Sequence, residues 1–324
     1  MNRVLVTGAG GFIGSHLVRY LKRKGHWVRG VDIKEPRWSS SVADEFKLLD
    51  LRDFRNTFVA VSGMDQVYAL AADMGGIGYI GSGDYDMEIA WNNTHININT
   101  LEAARLSGVQ RYFFTSSACI YPLYLQKRAD VAPLKESDAY PAEPDSVYGW
   151  EKLYTEVLCH LYQKDVGIEM RIARFHNIYG PETDWIGGRD KLPAAACRKV
   201  AMAKLTGNHK VEVWGDGLAT RSFCYIDDCL EMLYRLMQGD YDQPMNIGTD
   251  RLISVNQVFD IVADIAGIKI EKVHVPGPQG VRGRNADLTL MREVLGYEPQ
   301  VGLEDGLAKT YEWVERQCIP MSNH

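Results

Sequence analysis

Tyr148 and Lys152 stand four positions apart in Tyr148-Gly149-Trp150-Glu151-Lys152, which puts both on one face of a helix. An ammonium beside a phenol favours the phenolate and lowers its pKa. A phenol so placed can take the proton of a substrate hydroxyl while hydride leaves the same carbon. Ser116-Ser117-Ala118-Cys119 follows an apolar run, where the Ser117 hydroxyl can meet the same substrate oxygen. Alone, Tyr-x-x-x-Lys is more often an ordinary pair on a helix surface. Here a glycine-rich turn comes first, then the serine segment, then the Tyr–Lys pair, and that order gives the spacing its meaning.

The turn is Gly8-Ala9-Gly10-Gly11-Phe12-Ile13-Gly14, between the apolar run Val4-Leu5-Val6 and a helical stretch. Gly8, Gly11 and Gly14 let the chain turn tightly and let backbone N–H groups, with those of Phe12 and Ile13, approach a diphosphate. The helix N-terminus favours the anion. Asp32 follows Gly14 by 18 residues at the end of a second strand. A carboxylate there accepts hydrogen bonds from a ribose 2′-hydroxyl and repels a 2′-phosphate, so the expected cofactor is NAD rather than NADP. Asp50, Leu51 and Ala71 are expected along its adenine and ribose side, with Tyr148 and Lys152 bordering the other end.

These residues need a frame. Apolar runs at Val4–Val6, Val28–Val31, Gln66–Leu70, Arg111–Thr115 and Met170–Arg174 alternate with helical stretches at Ser15–Lys24, Asn92–Leu106 and Tyr148–Lys164. Strands alternating with helices predict an α/β fold of Rossmann type, a doubly wound parallel sheet covered on both faces. From Tyr179 the pattern loosens around Gly180-Pro181 and Trp185–Arg189. Residues 1–180 therefore read as the NAD-binding domain, with a return segment near 223–250. Residues 181–324 read mainly as a smaller C-terminal substrate-binding domain.

The chain has 324 residues and a net charge of −6, enough for a large core and no general attraction for nucleic acid or anionic membrane. Neither partner is expected, and any anionic ligand must be met by local Arg and Lys groups. No apolar run reaches the roughly 20 residues of a membrane span. Six cysteines form no C-x-x-C pair, so no metal is expected. A strand already under way at Arg3 leaves no secretory signal, and the reading is cytoplasmic.

With Asn93, Ser117, Tyr148, Lys152, the glycine turn and the segment Trp214–Phe223, the chain resembles the extended short-chain dehydrogenase/reductase superfamily from Val4 to about Tyr311. Its members typically act on nucleotide sugars, as epimerases, dehydratases or reductases. Ala118-Cys119 replaces the Asp-Glu pair of the sugar-nucleotide 4,6-dehydratases, which argues against elimination. Simple 4-epimerases usually carry a small hydroxyl residue at the Cys119 position.

A thiol near a cation can act as a general base. Once a sugar C4 hydroxyl is a ketone, the protons on C3 and C5 become acidic. Cys119 on one face and Lys191 on the other could invert those centres. Otherwise Cys119 is a small buried hydrophobe and Lys191 a solvated loop lysine. The segments Ala71–Gly76, Ser116–Pro122, Lys135–Ala139, Arg174–Pro181, Gly187–Ala195 and Val281–Asn285 closely resemble the GDP-mannose 3,5-epimerase family. That resemblance implies conversion of GDP-D-mannose to GDP-L-galactose with NAD returned unchanged. It also implies a homodimer, built through helices that include the Asn92 and Tyr148 stretches. Carried over by position, Gly75, Ser117, Ala118, Cys119, Asn177, Asp190, Lys191, Leu192, Lys199, Ala219, Thr220, Arg221 and Arg282 would meet the GDP-sugar. The family carries Gln where this chain has Ala219, and the Gly81–Glu88 loop is longer than expected. The rival enzyme reading is a GDP-L-fucose synthase-like epimerase/reductase or a nucleotide-sugar 4-epimerase. A silent NAD-sensing scaffold has no need of Tyr148, Lys152 and Cys119 together.

Overall fold

The computed structural model describes residues 2–322. Its central sheet contains seven parallel strands: β1 (Arg3–Thr7), β2 (Trp27–Asp32), β3 (Glu45–Leu48), β4 (Gln66–Ala69), β5 (Arg111–Ser117), β6 (Glu169–Phe175) and β7 (Pro244–Ile247). They lie in the order β7-β6-β5-β4-β1-β2-β3. The doubly wound Rossmann-type sheet expected from the sequence is what forms. Its inner strands are largely apolar because both faces are covered; Val4, Val6, Val67, Phe113 and Phe114 have no exposed surface. The chain changes direction across the sheet between β1 and β4, and ligands of such sheets sit outside the strand ends at that point.

Four helices flank the first six strands: α1 (Phe12–Arg23), α2 (Phe54–Val61), α3 (Asp86–Leu106) and α4 (Val147–Val166). Helix α3 begins at Asp86 rather than at Asn92, so the end of the Gly81–Glu88 segment is helical. Asp86 and Glu88 occupy its first turn, where carboxylates offset the positive end of the helix. Neither β3 nor α2 stands out in the sequence. Strand β3 is a sheet edge without a buried residue, so its pattern carries no apolar signal. Helix α2 is set off by Asp53, whose side chain accepts the Arg55 N–H at 2.8 Å.

The chain then leaves the sheet and returns. Helix α5 (Leu192–Thr206) precedes α6 (Ile226–Gln238), which leads into β7 alongside β6. Helices α5, α7 (Val255–Ala266) and α8 (Leu303–Ser322) pack on one another. Among the described residues three small sheets complete the structure: Ile178–Tyr179 with Cys224–Tyr225, Lys210–Trp214 with Glu271–Val275, and Thr220–Arg221 between Ile253–Ser254 and Gly283–Arg284.

A buried ion pair fixes the interior beside the site. Arg174 of β6 meets Glu156 of α4 at 2.7 Å, and the Ser116 hydroxyl donates to Glu156 Oε1 at 2.5 Å. Removing one member of such a pair costs about 3–5 kcal/mol, because the other charge stays buried. Among the described residues no helix is long and apolar enough to cross a membrane.

Candidate active site

The turn after β1 leaves no room for a side chain at Gly8, Gly10 or Gly14. Gly8 adopts φ +69°, a left-handed conformation open chiefly to glycine. A Cβ on Gly14 would stand 2.0 Å from the Gly8 carbonyl oxygen, and one on Gly10 2.1 Å from that of Lys34. Gly11 caps α1 without a side-chain hydrogen bond, and no acidic residue occupies the first turn. That helix end offers N–H groups and positive potential to an anion.

Asp32 is aimed by the same turn. Its Oδ2 accepts the Gly10 N–H at 2.9 Å, and its Oδ1 accepts those of Ile33 and Lys34 at 2.7 and 3.2 Å. Burial raises its pKa against the pull of these three donors. Arg52 pairs with Asp50 at 2.7 Å and holds that carboxyl below its usual range. The N–H groups of Leu70 and Ala71 both reach the Thr7 hydroxyl at 3.1 Å, drawing the end of β4 onto β1. Gly8, Gly11, Phe12, Ile13, Gly14, Asp32, Asp50, Leu51 and Ala71 all border one cleft of about 1230 Å³. Glycine-lined helix end, a carboxylate bordering the cleft and an apolar flank together fit a dinucleotide.

The same cleft continues to the residues expected to do chemistry. Ser146 caps α4 by accepting the Gly149 N–H at 3.2 Å. A Cβ on Gly149 would stand 2.3 Å from the Cys119 carbonyl oxygen, so only glycine lets α4 lie this close to the Ala118–Ile120 turn. Tyr148 and Cys119 consequently share a buried cluster with Tyr79 and Ile89. The Ser117 hydroxyl accepts the Cys119 N–H at 3.2 Å. Lys152 Nζ lies 5.5 Å from the Tyr148 ring centroid and 4.8 Å from that of Phe114.

The expectation that Lys152 lowers the Tyr148 pKa needs correction for the protein alone. Burial pushes the phenol well above its ordinary value, and Cys119 and Glu151 add to that. Burial also pushes the Lys152 amine down. Desolvation is the largest cause of both shifts.

Lys191 borders the cleft as the residue capping α5. Burial lowers its pKa while the neighbouring Cys119 and Cys229 oppose the change. Asp190 pairs with Arg198 at 3.1 Å. Asn177 holds a left-handed backbone at φ 45° and donates its side-chain N–H to the Ser222 carbonyl at 2.9 Å. Lys199 Nζ donates to the Glu212 carbonyl at 2.8 Å. Gly75, Ala118, Leu192 and Ala219 also border the cleft.

Strand alternation separates Arg221 from Thr220, since neighbouring residues on a strand point to opposite sides, while Arg282 precedes the strand that carries Arg284. Gly283–Arg284 pairs in parallel with Thr220–Arg221. Arg221 and Arg284, opposite each other in that register, border the cleft. Thr220 instead binds the Ala129 carbonyl at 2.5 Å, and Arg282 pairs with Asp216 at 2.8 Å. Neither of these two is part of the cleft wall. Burial, with Arg284 nearby, lowers the Arg221 pKa to about 10.

Arg284 is the residue that sequence reasoning missed. Its guanidinium donates to Cys119 Sγ at 3.4 Å, to Asp145 at 2.6 Å and to Gln126 at 2.6 Å. Burial works against its charge, but Cys119 and Asp145 outweigh that and hold its pKa above the ordinary value. Its only signal was its position two residues beyond Arg282, which precedes the short strand that carries Arg284.

Fold and cleft thus define a dinucleotide-dependent enzyme with a tyrosine, a thiol and an amine around one chamber. Residues 4–248 match the model of the NAD dependent epimerase/dehydratase family, and the chain belongs to that family. It is similar to UDP-glucose 4-epimerase from Thermus thermophilus, solved with NAD, at a TM-score of 0.83 and 26% identity over 96% of this chain and 98% of that one.

Within the family its likeness is narrower. It is 50% identical to GDP-mannose 3,5-epimerase 1 of Oryza sativa subsp. japonica, over 97% of this chain and 82% of the relative. It is 28% identical to GDP-L-fucose synthase of Escherichia coli (strain K12), over 96% of each chain. The resemblance to GDP-mannose 3,5-epimerases is therefore borne out. The protein is an isomerase of nucleotide sugars, with NAD as cofactor.

Proposed function

We propose that this enzyme converts GDP-D-mannose to GDP-L-galactose by inverting C3 and C5 of the sugar, with GDP-L-gulose as the product of C5 inversion alone. The observation that carries the reading is Cys119 and Lys191 bordering one chamber with Tyr148. A 4-epimerase has no use for an additional base and acid.

Bound NAD supplies the oxidation of C4 and its later reversal. Tyr148 takes the C4 hydroxyl proton, with Ser117 holding the same oxygen. Lys152 supplies positive charge behind the phenol. With C4 a carbonyl, the C3 and C5 hydrogens are acidic. At each centre Cys119 removes a proton from one face and Lys191 delivers one to the other, after which the thiol loses its proton to solvent and the amine regains one from it. Arg284 gives the Cys119 sulfur a cationic neighbour at 3.4 Å. Returning the Tyr148 proton to the C4 oxygen completes the cycle without net redox change.

Gly8, Gly11, Phe12, Ile13, Gly14, Asp32, Asp50, Leu51 and Ala71 hold the dinucleotide in this reading. Arg221 suits the GDP diphosphate, since a guanidinium binds phosphate oxygens in a fork. Residues 1–180 with the return near 223–250 form the cofactor domain, and 181–324 supply most of the sugar-nucleotide site.

The chain acts as a homodimer. Trp91 and Ile98 on α3, and Trp150, Tyr154, Val157 and Leu161 on α4, are exposed. Their helical spacing makes apolar stripes of the kind that helix bundles bury.

Incubation with GDP-mannose and no added NADPH tests the assignment. GDP-L-galactose and GDP-L-gulose are the expected products. Unchanged GDP-mannose, with turnover of a 4-keto-6-deoxy sugar at the expense of NADPH, would replace this reading by that of a fucose synthase.

A further inference from the structure

Asp73-Met74-Gly75-Gly76 and Gly187-Gly188-Arg189-Asp190-Lys191 lie against each other, yet the chemistry above uses neither Asp73 nor Arg189. We propose that the Arg189–Asp73 pair is a clasp that positions Lys191, tying the glycine-hinged loop that carries it to the cofactor half of the molecule. The proposal rests on the reading of Lys191 as an acid.

The loop needs an anchor. Gly187 and Gly188 adopt φ +98° and +83°, and a Cβ on either would meet nothing within 4 Å. These glycines serve backbone conformation, not close packing, and leave the segment a hinge. Beyond the hinge the chain is held on two sides. Toward α5, Asp190 pairs with Arg198, whose Nε donates to the Trp185 carbonyl at 2.8 Å. Toward the sheet, the Arg189 guanidinium lies 3.9 Å from the Tyr79 ring centroid. It also donates to Asp73 Oδ1 at 3.0 Å and to the Met74 carbonyl at 3.1 Å.

The backbones interlock under this contact. Gly76 N–H donates to the Arg189 carbonyl at 3.0 Å, and a Cβ on Gly76 would stand 2.2 Å from the Asp190 carbonyl oxygen. Asp73 is itself fixed. Tyr79 donates to it at 3.0 Å and Asn92 at 2.8 Å. Asn93 accepts the Asp73 N–H at 2.6 Å and donates to its carbonyl at 3.1 Å.

The network continues into the cofactor site. Arg52 donates to Asn92 Oδ1 at 2.9 Å and pairs with Asp50. A polar chain Asp50–Arg52–Asn92–Asp73–Arg189 therefore runs from the dinucleotide end of the cleft to two residues before Lys191. An isolated exposed ion pair contributes little. This one is stacked on a ring, shares its carboxylate with two further donors and closes over a hinge. Its consequence is registry between the acid and the sugar, and small misplacements of a reacting group cost large factors in rate.

The test uses the full NAD-loaded enzyme with Arg189→Gln, Asp73→Asn, Arg189→Lys and, as reference, Lys191→Met. Amide hydrogen exchange over residues 187–191 reads the anchor itself. In Arg189→Gln and Asp73→Asn it is expected to quicken about fivefold or more. NAD reduction on adding GDP-mannose and the KM for that sugar should stay within about threefold, while kcat for inversion falls about tenfold or more. Arg189→Lys keeps a charge opposite Asp73 and should recover much of that loss. Loop exchange or inversion within about twofold of the parent in Arg189→Gln would overturn the clasp. Inversion surviving in Lys191→Met would instead refute the role of Lys191, which separates the two failures.

Discussion

Arg284 reaches across 165 positions of sequence to place its Nη1 3.4 Å from the Cys119 sulfur. The same guanidinium pairs with Asp145 at 2.6 Å, almost out of contact with water. Replacing Arg284 by Gln removes the cation beside the sulfur. Inversion should fall about tenfold or more, the scale of a disabled base, while NAD reduction on adding GDP-mannose persists. Left unpaired, Asp145 should lower unfolding stability by about 3 kcal/mol in urea titrations. The Asp145→Asn/Arg284→Gln pair should regain stability without regaining inversion. Inversion at the parental rate in Arg284→Gln would remove Arg284 from the mechanism.

Asp32 accepts three backbone N–H groups and borders the cleft beside the glycine turn. Asp32→Ala should weaken NAD binding about tenfold or more, the loss of charge-assisted ribose hydrogen bonds. It should also narrow the preference over NADP, since the carboxylate no longer repels a 2′-phosphate. Calorimetry on cofactor-stripped protein measures both. An unchanged NAD-to-NADP ratio would show that another group discriminates.

Burial holds the Lys191 pKa below the ordinary lysine value of 10.5. An amine can donate a proton only while it is charged. Inversion should therefore decline as pH rises through this lowered value, and the basic limb of the kcat profile should lie below 10.5. Lys191→Met should abolish inversion across the range while leaving NAD reduction. A basic limb at or above the ordinary lysine value would contradict the assignment.

Trp150 and Tyr154 expose more than half their surface on consecutive turns of α4. In the proposed homodimer, replacing both by Glu would place like charges across the two-fold helix bundle. Sedimentation velocity should show a dimer for the parent and a monomer for the double variant. A variant that remains dimeric would move the interface elsewhere.

The parts legible in sequence were those whose chemistry is local. The glycine turn, Asp32, and the Tyr148–Lys152 spacing each lie within one element or one turn, so residue type and spacing suffice. Strand β3 was not legible because an edge without buried residues has no apolar alternation. Arg284 was not legible because its value depends on the pairing of Gly283–Arg284 with Thr220–Arg221. That register faces Arg284 and Arg221 to the cleft and leaves Arg282 on Asp216. The Tyr148 pKa was misjudged because sequence shows the neighbouring lysine but not the burial that pushes the phenol up.

The central claim is that Cys119 and Lys191 exchange protons at carbons beside an oxidised C4. Its most direct measurement is NMR of the sugars formed from GDP-mannose in deuterated water by the parent, Cys119→Ala and Tyr148→Phe. The parent should carry deuterium at C3 and C5 in GDP-L-galactose and at C5 in GDP-L-gulose. Cys119→Ala should form enzyme-bound NADH with no inverted sugar, and Tyr148→Phe should form neither. Inverted product without solvent deuterium, or inversion surviving in Cys119→Ala, would contradict the account.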